Sequence, residues 1–127
     1  MATIVVVEDQ PDNLKLITAL LTLKGHQVIG LATGEGVADA VRKQQPGPAL
    51  ILLDIQLPGR DGFAVLEELK ALPNRTWKVV ALTAHAMPED RAKAEAAGFD
   101  GYVTKPIDVR TFPQEVARWL GNPGPSV

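Results

Sequence analysis

Ala49-Leu50-Ile51-Leu52-Leu53-Asp54 is a short apolar run that ends on a carboxylate. It is too short for a helix and apolar throughout up to Asp54, as a strand covered on both faces should be. A carboxylate at the end of so apolar a strand costs free energy unless it is paired or metal-bound. Before it, Gln45-Pro46-Gly47-Pro48 reads as a turn. After it, Val65, Leu69 and Leu72 mark a helix ended by Pro73. Thr3 to Val7 is a second such run, stopped by Glu8 and Asp9. Leu14, Ile17 and Leu21 then recur at helical spacing behind Asp12 and Asn13, both suited to cap a helix, and Gly25 stands where that helix would stop.

The alternation continues in both directions. His26 to Leu31 reads as strand, Gly36 to Gln44 as helix, Lys78 to Thr83 as strand, and Pro88 to Ala97 as a helix stopped by Gly98. Tyr102 and Val103 lie in a short fifth strand. Val109, Phe112, Val116 and Trp119 share one face of a last helix, before Gly121, Pro123, Gly124 and Pro125 end regular structure. Strands that alternate with helices imply a parallel sheet, because parallel neighbours need helical crossovers, and right-handed crossovers cover both faces. The fold class is doubly wound α/β.

Composition agrees and narrows the function. The chain has 127 residues, 46% hydrophobic and 22% charged, the size of one domain that buries enough surface to fold without staples. It has no cysteine, which excludes thiol catalysis and Cys-ligated metals and fits a reducing cytoplasm. With 13 Lys and Arg against 15 Asp and Glu the net charge is -2, and no basic run is suited to a phosphate backbone, so no nucleic-acid partner is expected. The apolar runs are far shorter than the roughly 20 residues of a membrane span, and no secretion signal follows Met1, so no membrane partner is expected and the chain reads as cytoplasmic. Asn74-Arg75-Thr76 matches a glycosylation sequon, which means nothing without such a signal.

In a parallel sheet ligands bind outside the carboxyl ends of the strands. Here those ends carry Glu8-Asp9, Asp54, Thr83-Ala84 and Lys105-Pro106, so three carboxylates, a hydroxyl and an ammonium converge from separate stretches of chain. Crowded carboxylates repel one another unless a cation lies among them. A hard divalent ion relieves this and bridges to phosphate oxygens, which suggests metal-assisted phosphoryl chemistry. Taken singly, Asp9 and Asp12 read equally well as helix caps, and Lys105 as a solvated surface residue.

The strings Val6-Val7-Glu8-Asp9, Leu53-Asp54-Ile55-Gln56-Leu57-Pro58-Gly59-Arg60-Asp61-Gly62, Ala81-Leu82-Thr83-Ala84 and Tyr102-Val103-Thr104-Lys105-Pro106 strongly resemble the receiver domains of two-component response regulators. The resemblance covers roughly residues 4 to 120. It implies a (βα)5 flavodoxin-like fold with strand order 2-1-3-4-5, a receiver over residues 1–120 and a short tail over 121–127. It implies that Asp54 is the phosphoacceptor, taking a phosphoryl group from a histidine kinase or histidine phosphotransfer protein. Asp9 would hold Mg²⁺ (or Mn²⁺) directly, Glu8 mainly through water, with Asp54 and the Gln56 backbone carbonyl completing the protein ligands. Lys105 would pair with a phosphoryl oxygen, and the Lys105–Pro106 bond is expected to be cis. Thr83 and Tyr102 resemble the family's switch pair, which changes the surface of the fourth helix, fifth strand and fifth helix. Gln56 and His85 would tune how long the phosphoryl group lasts; outside the family, His85 reads as a surface residue and Tyr102 as a half-buried aromatic.

Glu8 stands where many members carry Asp, and Pro48-Ala49 replaces an acidic approach to the third strand. A nucleotide or flavin binder would need a Gly-rich loop after the first strand, where Glu8-Asp9-Gln10-Pro11 stands instead. A Mg²⁺-dependent phosphatase using Asp54 as nucleophile would carry a second carboxylate two residues on, where Gln56 stands. The chain therefore reads as a signalling protein that catalyses only its own phosphorylation and dephosphorylation. It is expected to be a single-domain regulator acting on an unknown downstream protein, as a monomer or a phosphorylation-dependent dimer. Ala84 to Lys105 also resembles receivers of hybrid histidine kinases, so an excised receiver is the alternative.

The fourth helix carries Ala92, Ala94, Ala96 and Ala97 and no Leu, Ile, Val or Phe between Pro88 and Gly98, so it buries little apolar area. Its amides are expected to exchange with solvent faster than those of the helix between Val109 and Leu120. Equal protection of the two in a hydrogen-exchange measurement would contradict this.

Overall fold

The elements follow the chain as β1 (Thr3–Val7), α1 (Pro11–Leu23), β2 (Gln27–Leu31), α2 (Val37–Arg42), β3 (Leu50–Asp54), α3 (Gly62–Lys70), β4 (Lys78–Thr83), α4 (Pro88–Ala97), β5 (Gly101–Thr104) and α5 (Phe112–Trp119). They come from a computed structural model that describes residues 2–44, 47–57, 59, 61–73, 75–85 and 87–121. The five strands form one sheet in the order β2-β1-β3-β4-β5, every neighbouring pair parallel. Central β3 is buried at every residue, as its apolar run requires.

Side-chain alternation divides the core in two. Val5, Val7, Ile51, Leu53, Val79 and Ala81 face α2, α3 and α4, where Val37, Val41, Val65, Leu66, Leu69, Ala94 and Phe99 close the layer. Ile4, Val6, Leu50, Leu52, Val80 and Leu82 face α1 and α5, against Ile17, Leu21, Phe112 and Val116. Each fully buried aliphatic side chain contributes about 1.5–3 kcal/mol, so the central strands anchor both layers. Among the described residues no helix is long and apolar enough to cross a membrane.

Several boundaries differ from the sequence reading. α1 begins at Pro11 after Gln10, which makes no side-chain cap hydrogen bond. Asp12 and Asn13 therefore lie inside the first turn. Proline's fixed φ starts the helix there, and Asp12 acts on the helix dipole instead of as a cap. β2 and β3 each begin one residue later than expected, and α2 is shorter, following Gly36 in the left-handed region at φ 76°. Leu72 lies beyond the end of α3 and packs partly buried against the first layer. Val109 is 50% exposed and precedes α5, because Pro113 in the first turn sets the helix start at Phe112. Gln45 and Pro46 of the expected turn, Pro58, Arg60, Asn74 and Ala86, and the tail from residue 122 onward lie outside the described residues.

Gly62 is the close approach that seats α3 on the end of β3. Its N–H donates to the Ile55 carbonyl at 2.7 Å, and a Cβ there would lie 2.6 Å from the Asp54 carbonyl oxygen and 2.7 Å from Ile55 Cα. Helix propensity alone would make Gly62→Ala stabilising. The backbone obstruction reverses the sign, and a loss of about 1–3 kcal/mol is expected, the usual cost of overpacking. Chemical denaturation of the variant measures it; a gain in stability would show that α3 can move away from β3 freely.

Candidate functional site

The carboxyl edge of the sheet collects the site because every strand of a parallel sheet ends there. β1 delivers Glu8 and Asp9, β3 delivers Asp54, β4 delivers Thr83 and β5 delivers Lys105. Adjacent register fixes their spacing: Glu8 N–H donates to the Leu31 carbonyl, Ile55 N–H to Leu82 and Lys105 N–H to Thr83.

Lys105 joins the carboxylates. Its Nζ lies 2.7 Å from Asp54 Oδ2 and 2.6 Å from Glu8 Oε1. Asp54 Oδ1 accepts the Gln56 backbone N–H at 2.8 Å, and Glu8 Oε2 accepts the Gln10 N–H at 3.0 Å. Glu8 is 0% exposed and Asp54 1%. Burial pushes the Glu8 carboxyl above the usual carboxylate range; the Lys105 ammonium and the Gln10 N–H hold it back, and the Asp54 charge adds to the upward push. Burial opposes the Lys105 charge, but the two carboxylates outweigh it and lift the ammonium above its ordinary value. The Lys105–Pro106 peptide is cis.

One carboxylate oxygen from each of Glu8, Asp9 and Asp54 lies within 4.8 Å of the others. The donors are all hard oxygens, the set suited to Mg²⁺ or Mn²⁺ and unsuited to soft metals. Two of the three carboxylates are buried with a single ammonium between them, so additional positive charge is electrostatically welcome. The residues fit a divalent cation.

The β4 side of the site carries a second network. The buried Thr83 Oγ1 accepts the His85 N–H at 3.0 Å, and its hydroxyl is also hydrogen-bonded to the Tyr102 phenol. Gln56 Nε2 lies 2.5 Å from His85 Nε2, joining the loop after β3 to the loop after β4. Tyr102 O–H donates to the His85 carbonyl. His85 is exposed, as its sequence position suggested, yet it is bonded to Thr83, Gln56 and Tyr102. The structure therefore brings Glu8, Asp9, Asp54 and Lys105 into one cluster and Thr83, Gln56, His85 and Tyr102 into a chain beside it. Arg91, whose guanidinium lies 5.2 Å from the Tyr102 ring centroid, escaped the sequence reading.

The family model for the response regulator receiver domain matches residues 4–117. The chain is 38% identical over 127 residues to the sensor protein GacS of Pseudomonas syringae pv. syringae, covering 94% of this chain and 14% of GacS. It therefore spans about a seventh of that relative's length. It is 34% identical over 126 residues to the polar-differentiation response regulator DivK of Brucella ovis, covering 94% of this chain and 97% of DivK. Among solved structures, the receiver domain of the sensor histidine kinase PA1611 of Pseudomonas aeruginosa PAO1, with a magnesium ion coordinated in its active site cleft, superposes with a TM-score of 0.83 at 32% identity, over 95% of this chain and 98% of that one. The BeF3-activated DrrB receiver domain gives a TM-score of 0.83 at 28% identity, over 96% of this chain and 99% of that one.

Removing the shared cation from this cluster has a defined consequence. Lys105→Met leaves Glu8 and Asp54 buried without their ammonium, and a stability loss of about 3–5 kcal/mol at neutral pH is expected. The ammonium holds the folded Glu8 carboxyl down, so its loss raises that carboxyl further; folded Lys105→Met therefore takes up its proton at a higher pH than folded wild type, and the deficit shrinks on acidification. Denaturation of wild type and Lys105→Met at pH 5 and pH 7 measures the difference. A deficit that grows toward pH 5 would contradict the assignment.

Proposed function

The chain belongs to the response regulator receiver domain family, and from that premise we propose that it accepts a phosphoryl group on Asp54 and signals through the surface of α4, β5 and α5. The observation that carries the reading is the Asp54 carboxylate, buried at a strand end and held at 2.7 Å by Lys105 beside two further carboxylates. Asp54 is the nucleophile: one of its oxygens forms a bond to phosphorus as the donor's nitrogen–phosphorus bond breaks. The electron pair of that bond stays with the donor imidazole, which takes up a proton. Glu8, Asp9, Asp54 and the Gln56 carbonyl would hold Mg²⁺, or Mn²⁺, which when bound would offset charge on the phosphoryl oxygens. Lys105 follows the developing charge from the carboxylate to a phosphoryl oxygen, an electrostatic contribution that needs no rearrangement of the fold.

Thr83 then turns its hydroxyl from the Tyr102 phenol to the phosphoryl group and donates its proton there. Because Thr83 Oγ1 accepts the His85 N–H, and the His85 carbonyl accepts the Tyr102 hydroxyl, movement of Thr83 disturbs the tie that holds Tyr102. The donor is a histidine kinase or histidine phosphotransfer protein, and the setting is the cytoplasm. Catalysis is confined to the domain's own phosphorylation and dephosphorylation. The receiver occupies residues 1–120, with 121–127 as a tail.

Two settings follow from the relatives. The match to nearly the whole of DivK supports a single-domain regulator, and the matches to GacS and PA1611 support a receiver of a hybrid kinase as the second reading. An immunoblot of the native polypeptide separates them: a band near 13.6 kDa supports the first, a much larger one the second.

Incubation with acetyl phosphate is expected to give one phosphoryl adduct in the intact mass, dependent on Mg²⁺ and lost in Asp54→Asn. An adduct that persists in Asp54→Asn would overturn the nucleophile. Gln56 and His85 bridge the two loops beside Asp54 and set the lifetime of the phosphoryl group. His85→Ala is expected to shorten it about two- to tenfold, the range for one hydrogen bond, and an unchanged dephosphorylation rate would remove that role.

A further inference from the structure

α4 reaches the apolar core through Ala94 and Ala97 alone, and three cations add further ties. Of its ten residues only Ala94 is buried, so its other anchors must be sought outside the apolar core. Lys70 Nζ of α3 donates to the Ala97 carbonyl at 3.1 Å, at the C-terminal end of α4. Lys93 Nζ lies 5.1 Å from the centroid of the Phe63 ring, which itself meets Phe99 edge-on. Both ties reach toward α3. The first turns of α4 are tied in the other direction, by the Arg91 guanidinium over the face of Tyr102 on β5. A guanidinium over an aromatic face is attracted by the ring quadrupole and stacks on it, so the contact depends on how the ring is turned.

We propose that Arg91 is the positioning residue that couples the orientation of the Tyr102 ring to the N-terminal half of α4. The inference rests on the switching role given to Tyr102 above and adds the link by which that role reaches the helix. The same ring holds the loop before α4 by donating its hydroxyl proton to the His85 carbonyl. One aromatic side chain therefore fastens two points of the chain, His85 by its edge and the first turns of α4 by its face. A rotation of the ring releases both at once, while Lys70 and Lys93 keep the rest of the helix on α3. The alternative for an exposed arginine, a solvated charge with no positional effect, predicts no dependence on Tyr102.

The test is a double-mutant cycle read by amide hydrogen exchange of the unphosphorylated full chain. Arg91→Ala and Tyr102→Leu are each expected to raise exchange of the residue 90 and 91 amides, which donate to the Met87 carbonyl, by about two- to fivefold, the population change that corresponds to an exposed cation–π contact. The double variant is expected to exchange no faster than Tyr102→Leu alone, because that change already removes the tie to Arg91. Tyr102→Phe keeps the ring face and should retain the protection, Arg91→Lys should restore part of it, and Lys93→Ala should loosen 92–97 without reproducing the pattern at 90 and 91. Wild-type exchange in Arg91→Ala, or additive effects in the double variant, would overturn the coupling. Acetyl phosphate labelling of the same samples reads Asp54 independently, so loss of the adduct with the cycle intact counts against the phosphoacceptor and leaves the tie standing.

Discussion

Two buried carboxylates cannot share the end of a parallel sheet without a cation, and Lys105 is the cation this chain supplies. Glu8 and Asp54 come from neighbouring strands, and the ammonium reaches both from β5, at the far edge. That single contact spans β1, β3, β4 and β5, so the position of the edge strand is fixed from the site as well as from the core. The pairing is a compromise. One ammonium faces two carboxylates, and the shortfall of positive charge favours a further cation electrostatically. Uniform apolar packing at this edge would be more stable and chemically inert.

The second constraint is that the site is bordered by polar ties, most of them exposed, instead of a closed apolar lid. Thr83, His85, Gln56 and Tyr102 are joined by single hydrogen bonds, each of which exchanges readily with water. Such a border is easily rearranged. The helix that follows it, α4, buries only Ala94, so the segment best placed to sense the site is also the one least anchored by the hydrophobic effect. The rigid elements hold the chemistry and the loosely held one lies beside it.

Most of this was legible in the sequence for an identifiable reason. Buried parallel strands are short apolar runs, and their ends are set by the first charged or hydroxyl residue, so Glu8, Asp54 and Thr83 announced both the strand ends and the cluster. The helix starts were less legible. Asp12 looked like a cap, but Pro11 takes the first helical position. Val109 fitted the periodicity of α5 and lies outside it, because a matching apolar residue one turn early does not extend a helix that Pro113 begins. Arg91 gave no signal at all: its meaning depends on which ring its guanidinium meets, a lateral contact between α4 and β5 that periodicity does not encode. Gly62 was similarly silent, since its need for a missing Cβ arises from the distance of α3 to the end of β3.

The strict alternation of the central strands has a consequence for how such a chain can diverge. Residues pointing to one face of the sheet build one layer, and their immediate neighbours build the other. The sheet acts as a partition. Substitutions beneath α4 and those beneath α1 and α5 are separated by a full backbone layer and share few side-chain neighbours. A lineage can therefore rework the packing behind α2 and α3 while that behind α1 drifts on its own schedule, and only at the β5 edge, where α4 and α5 flank the same strand from opposite layers, are the two sides bound to change together.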